Sequence, residues 1–335
     1  MSSSLVAFRP HHKVRLLASP ELEGHWFRRR VAIAWGLLML NVLTFDPGQS
    51  VLGIPSAVGK GITQGALSLA LVLALTVNPR LRFRPNVFLV LMTILVAGTI
   101  LPAFQPESFG TVYRTVRFAE FVLTLWLLTP FWGRRDMLLV RAHLTAMGVM
   151  LVSVVVGLFI DPGKAIGTGR LVGSIWPAPA PQVAHYAAVT AGLVAVLWLG
   201  GHARGKATLV IFCGSMVVLV LTHTRTALVS MVAGLLIAGI SLVVVRARAR
   251  RFFAVAGGIA TIAIVTLSGF ITAWLARGEG STEITDLSGR TLVWTQVLAF
   301  PRDKFQDWFG FGLSNASFNG LPAPTRMRRT SPSTR

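Results

Sequence analysis

Residues 206–245, KATLVIFCGSMVVLVLTHTRTALVSMVAGLLIAGISLVVV, decide the fold class. Two apolar runs, 206–222 and 226–245, are separated only by a minimal turn inside LTHTRTAL. Each approaches the ~20 residues that a helix needs to cross the hydrocarbon core of a bilayer. The stretch reads as two membrane helices joined back to back.

Working outward from this pair, further apolar runs lie at 31–46, 62–77, 86–104, 113–132, 137–160, 183–200 and 252–275. The whole-chain numbers agree with them. Of 335 residues, 53% are hydrophobic and only 13% charged, with a mean hydropathy of +0.66. A soluble protein of this size carries roughly twice that charged fraction. The reading is an all-α protein, a polytopic transmembrane helix bundle of about nine spans.

The net charge of +20 raises nucleic acid as a partner, and the placement of the charges removes it. Arg80, Arg82 and Arg84, then Arg134 and Arg135, then Arg204 and Lys206, then Arg246, Arg248, Arg250 and Arg251 fall in alternate loops. The intervening short loops hold only Lys60, Lys164, Arg170 and Arg225. That is the positive-inside pattern of a multi-pass membrane protein, and it predicts a cytoplasmic N-terminus with the 276–335 segment outside. The single cysteine, Cys213, lies in an apolar run, so no intramolecular disulfide is available and nothing suggests a metal knot.

Four segments follow. Residues 1–30 are polar and basic, too long for the head of a signal peptide and without a small-x-small cleavage site after the next run. They read as a cytoplasmic tail. Residues 31–275 form the bundle, and 276–320 open a large extracytoplasmic loop containing DLSGRTLVWTQVLAFPRDKFQDWFGFGLSNAS at 286–317. Residues 321–335, LPAPTRMRRTSPSTR, lack acids and read like translation out of frame or a shortened gene.

Candidate functional side chains are those whose charge is out of place. Arg225, at the tight turn between two spans, is either an interface anchor that snorkels to water or part of an anion site. Arg170, in GTGRLVGSIWPAPAPQVAHY, sits in a loop with Gly167, Gly169 and Gly173 before it stiffens at Pro177, Pro179 and Pro181. Arg290 is on the Ser-Gly-Arg turn of the last segment. Three outer arginines from three loops suit a phosphate, because the guanidinium fork donates bidentate hydrogen bonds and stays charged. Arg114, Arg117 and Glu120 share one face of the fourth run. There Arg117 and Glu120 either pair with each other, or the arginines wall a substrate cavity. His185 opens the sixth run and is a weak candidate base beside an outer cavity; a structural place at the helix start is the alternative. His223 reads as a turn residue. The Gly-Phe-Gly at 310–312 follows no strand, which excludes a nucleotide loop.

Arg170 with its trailing glycine, the LTHTR turn ending at Arg225, and SGRTLVW followed by GFGLSNASF resemble the marks of the O-antigen ligase/O-antigen polymerase family. The similarity runs from roughly 60 to 320, and it rests on the order of the motifs more than on any one of them. The resemblance implies a GT-C-like membrane glycosyltransferase in the bacterial plasma membrane. Its donor would be a glycan on polyprenyl (undecaprenyl) pyrophosphate, and its acceptor the hydroxyl of a glycan or lipid. It implies no cofactor and no metal: Arg170, Arg225 and Arg290 would grip the pyrophosphate, and a histidine late in the outer loop would activate the acceptor. The sequence departs from the family at that point, since no histidine follows Arg290. The expectation is therefore a C-terminally shortened member that lacks the late-loop histidine of the family. The alternative function is a multi-pass permease or flippase for a lipid-linked or hydrophilic solute, which would need buried acids and repeated halves. Glu120 is the one intramembrane acid, and no repeat is visible.

Overall fold

The computed structural model describes residues 24–45, 50–103, 109–133, 136–166 and 169–269, with positions 272, 295 and 298. They form α1 (His25–Asn41), α2 (Ser56–Val77), α3 (Val87–Ala103), α4 (Phe109–Leu128), α5 (Asp136–Ile160) and α6 (Pro162–Ile166). After these come α7 (Ala180–Leu199), α8 (Gly205–Leu221), α9 (Arg225–Val245) and α10 (Ala247–Thr266). No strand occurs among the described residues.

A helix stands at each expected apolar run. Five of them, α2, α5, α7, α9 and α10, are long and apolar enough to cross a membrane. The apolar helices α3 and α8 have 17 residues each. At 1.5 Å per residue they reach about 25 Å, a little short of a ~30 Å hydrocarbon core.

Two cores hold the bundle. In the first, Val31, Ala34 and Leu38 of α1 bury one helical stripe against Leu67, Ala70 and Ala74 of α2 and Leu125, Leu127 and Leu128 of α4. In the second, α7 is central. Its small residues Ala184, Ala187, Ala188, Ala191 and Ala195 let α5, α8 and α9 approach closely. The opposite faces of α3, α9 and α10 are bare hydrocarbon, with Ile237, Ile240 and Val244 all more than 70% exposed. Water does not tolerate an apolar surface of that extent; lipid does. The chain is a membrane-embedded helical protein.

The connections sort into two ends. At one end, Asn78 donates from Nδ2 to Leu127 O (3.0 Å) and Arg82 O (2.8 Å), while its Oδ1 accepts from Arg82 N. There Arg84 bonds through N to Thr129 Oγ1 and through Nη1 to Trp132 O. Arg248 reaches Trp198 O at the same end. This basic end carries the arginine clusters. The other end gathers the connections after α1, after α5 and after α8, described below.

Two expectations need correction. The tail expected over 1–30 gives way to helix at His25, because Phe27 packs edge-on against Phe131 with ring centroids 5.3 Å apart. That contact extends α1 backward through Arg28–Arg30, whose long side chains remain exposed. Nor do Arg117 and Glu120 pair: the Arg117 guanidinium donates to Asn41 Oδ1 at the end of α1 and lies 5.9 Å from the Tyr113 ring. A neighbouring helix offers a better acceptor than the same helix one turn on.

Asn78 is nearly fully buried and ties α2 to α4. Asn78→Ala strands those backbone groups, and the expected loss is roughly 1–3 kcal/mol. The thermal unfolding midpoint in detergent should fall clearly. Thr76→Ala should leave it nearly unchanged, because that hydroxyl bonds only Leu73 O of its own helix.

Candidate functional site

At the end opposite the basic one, three connections are laced together. Val51 N donates to Ser174 O (2.8 Å), Trp176 Nε1 to Thr44 O (3.2 Å), and Gln182 Nε2 to Val42 O (2.7 Å). The Phe45 and Trp176 rings meet edge-on at 5.2 Å. The segment from Arg170 to Pro179 owes its shape to a closed loop, in which Gly173 and Ala178 exchange both backbone hydrogen bonds. Glycine is required at 173, since a Cβ there would lie 2.3 Å from Trp176 O. Pro179, in extended conformation, then caps α7, and Pro181 stands in its first turn.

Arg170 connects this platform to the turn between α8 and α9. Leu171 N donates to Leu221 O (2.9 Å), so the two chains run side by side. The Arg170 guanidinium donates from Nε to Thr222 O and from Nη2 to Thr224 Oγ1, both at 3.0 Å. Thr222 is fully buried and Thr224 nearly so. Between them His223 takes φ of 49°, a left-handed conformation in which glycine or asparagine is usual. A residue with a side chain pays about 1–2 kcal/mol for it. Arg225 is the first residue of α9, and it is half-buried.

The structure therefore joins the loops of two of the three arginines, Arg170 and Arg225. Arg290 lies outside the described residues. Arg170 spends two of its five N–H donors on the turn; the remaining ones have no protein acceptor among the described residues. The nearest acid in sequence, Asp161, is committed to Lys164 at 3.8 Å, and no Asp or Glu occurs from 162 to 278.

Beside the turn, a cavity of about 450 Å³ opens between α7 and α9. His185 lines it from α7, and Thr224, Thr226 and Ser230 line it from the other side. Arg225 stands in sequence between two of those threonines. His185 also borders a more apolar cavity of about 640 Å³ between α1, α5 and α7, together with His143 and Tyr186. By contrast, Arg114 and Arg117 line a separate space of about 320 Å³ with Asn41, Val42 and Leu67. It shares no lining residue with the α7/α9 cavity, so the α4 pair belongs to a different wall of the bundle.

Sequence reasoning passed over His143 and the two threonines. His143 lies in the apolar run of α5, and its Nδ1 is buried without a hydrogen-bond partner among the described residues. An ionisable residue inside a span is itself the signal. Thr222 and Thr224 flank the noticed histidine and receive the Arg170 fork, which no spacing rule announces. Compared with protein-family models, with curated proteins and with solved structures, the chain shows no match, and the reading of this end rests on its own residues.

Gly173→Ala tests the platform. Cβ contacts at 2.3 Å to Trp176 O and 3.0 Å to Ala178 N cannot be relieved by a side-chain rotation. The expected loss is about 1–3 kcal/mol, seen as a lower unfolding midpoint; an unchanged midpoint would contradict the closed loop.

Proposed function

We propose that this chain is a membrane glycosyltransferase of the O-antigen ligase/polymerase type. It moves a glycan from polyprenyl pyrophosphate to an acceptor hydroxyl at the outer face of a bacterial plasma membrane. The observation that carries the reading is the Arg170 fork on the turn that starts α9, because it brings two outer arginines to one end of the bundle. In this reading nine helices span the membrane, with the basic end cytoplasmic and the Arg170 end outside.

The chemistry assigned to the residues is simple. The acceptor oxygen attacks the anomeric carbon, the bond from that carbon to the pyrophosphate oxygen breaks, and polyprenyl pyrophosphate leaves. Arg170 and Arg225, with Arg290 from the outer loop, hold the pyrophosphate and stabilise the charge that develops on it. His185, on the wall of the α7/α9 cavity, is the candidate to take the acceptor proton. A permease would instead need proton-coupling acids within its spans, and among the described residues Glu120 on α4 is the one acid inside a span, with Asp136 at the first position of α5.

Two experiments bear on this. Arg225→Ala, or Arg170→Ala, should lower glycan transfer from a polyprenyl-pyrophosphate donor by roughly 100-fold. Arg225→Lys should recover only part of it, since an ammonium lacks the fork. Wild-type rates in both alanine variants would sink the clamp. For sidedness, a Cys213→Ser background carrying His223→Cys should react with a membrane-impermeant maleimide on intact cells. Gly133→Cys in the same background should react only after permeabilisation. The reverse labelling would invert the orientation.

A further inference from the structure

The basic end holds a further cavity that the transfer reaction does not use. Trp198, in the last turn of α7, faces the start of α10, and together with Ala247, Arg248, Arg251, Phe252 and Val255 it encloses about 440 Å³. Arg248 Nη1 donates to Trp198 O at 2.9 Å, and its Cζ lies 5.6 Å from the Trp198 ring. Phe252 meets that ring edge-on at 5.7 Å. The indole thus orients Arg248 without neutralising it. Arg251 is one turn further along α10, on the same face as Arg248, and it makes no hydrogen bond or ion pair with the described residues.

No acid among the described residues forms an ion pair with Arg248 or Arg251. Arg204, Lys206, Arg246 and Arg250 crowd the same end, and the sequence has no acid between 162 and 278. An anion from outside the chain is the natural counterpart. The surroundings say which kind. Val255 continues along α10 into Ile259 and Ile262, at i, i+4 and i+7, and all three are more than 60% exposed. An apolar strip therefore leads from the arginine pair along the length of the helix. A soluble anion has no use for it, whereas an acyl chain does.

We propose that the Trp198–Arg248–Arg251 cavity binds the headgroup phosphate of an anionic phospholipid, whose acyl chains lie along the outer face of α10. The aromatic pair forms the floor and the two guanidinium groups grip the phosphate. Basic pockets between membrane helices at the cytoplasmic side recognise such headgroups. The proposal stands whether or not the chain transfers glycans.

The test uses the purified full chain in phosphatidylcholine nanodiscs doped with spin-labelled phosphatidylglycerol, reading the motionally restricted fraction. Wild type should prefer phosphatidylglycerol to phosphatidylcholine. In R248Q/R251Q that preference should fall on the order of tenfold. R246Q/R250Q removes the same charge outside the cavity and should keep it. Equal losses in the two double variants would mean a diffuse field, and the site would be wrong. Displacement of the labelled lipid by millimolar inorganic phosphate would mean a soluble-anion site and would also overturn the proposal. If R248Q/R251Q fails to fold, Arg251→Gln alone decides, because its side chain bonds nothing among the described residues; an unchanged preference there counts against the site.

Discussion

The fork of Arg170 on the turn between α8 and α9 is the interaction on which the far end of this protein depends. Without it, the connection after α5 would meet the turn before α9 only through the Leu171 N–Leu221 O hydrogen bond. With it, a buried carbonyl and a buried hydroxyl are satisfied by one guanidinium. Near the low-dielectric interior of a bilayer, such charge-assisted hydrogen bonds are stronger than their counterparts in water. The same arginine is backed by a closed loop that only glycine permits at 173, and this loop is tied in turn to the residues after α1. A continuous scaffold thus reaches from Val42 through Ser174 to Thr224.

The bundle is also asymmetric in charge. One end carries most of the arginines of the connections, many of them exposed, and Asp136 at the start of α5 is an acid there. The other carries few: Arg170 is held by a backbone carbonyl and a hydroxyl, and Lys164 by Asp161. A scattered positive charge on the first end is what membrane insertion requires. A positive charge retained at the second end works against that bias, so it needs a task of its own. The pyrophosphate clamp proposed for Arg170 and Arg225 supplies one. At the Trp198 pocket, where a lipid headgroup is proposed, the indole orients Arg248, and Arg251 lines the same cavity.

Much of the helical content was legible in the sequence, because unbroken apolar runs of this length have few other solutions. The ends of the helices were less so. Arg28–Arg30 read as tail, yet α1 runs through them, since Phe27 finds Phe131 across a distance in sequence that no local pattern reveals. Arg117 and Glu120 had the spacing of a pair, and Asn41 of another helix took the guanidinium instead. At the candidate site, the outlying charges of Arg170 and Arg225 were visible, while their meeting was not. It is carried by a threonine hydroxyl and a backbone carbonyl, which leave no signature in composition. His143 went unnoticed because one polar residue hardly dents the hydropathy of a 25-residue run. Arg290 was chosen for its turn and its motif, and it falls outside the described residues.

The central claim is that the Arg170 end recognises a lipid-linked pyrophosphate. Its most direct test is the binding of polyprenyl-pyrophosphate glycan to the purified chain in nanodiscs, set against the corresponding polyprenyl monophosphate glycan. The account predicts saturable binding of the pyrophosphate form with a clear preference over the monophosphate. Equal binding of the two, or none, would contradict it.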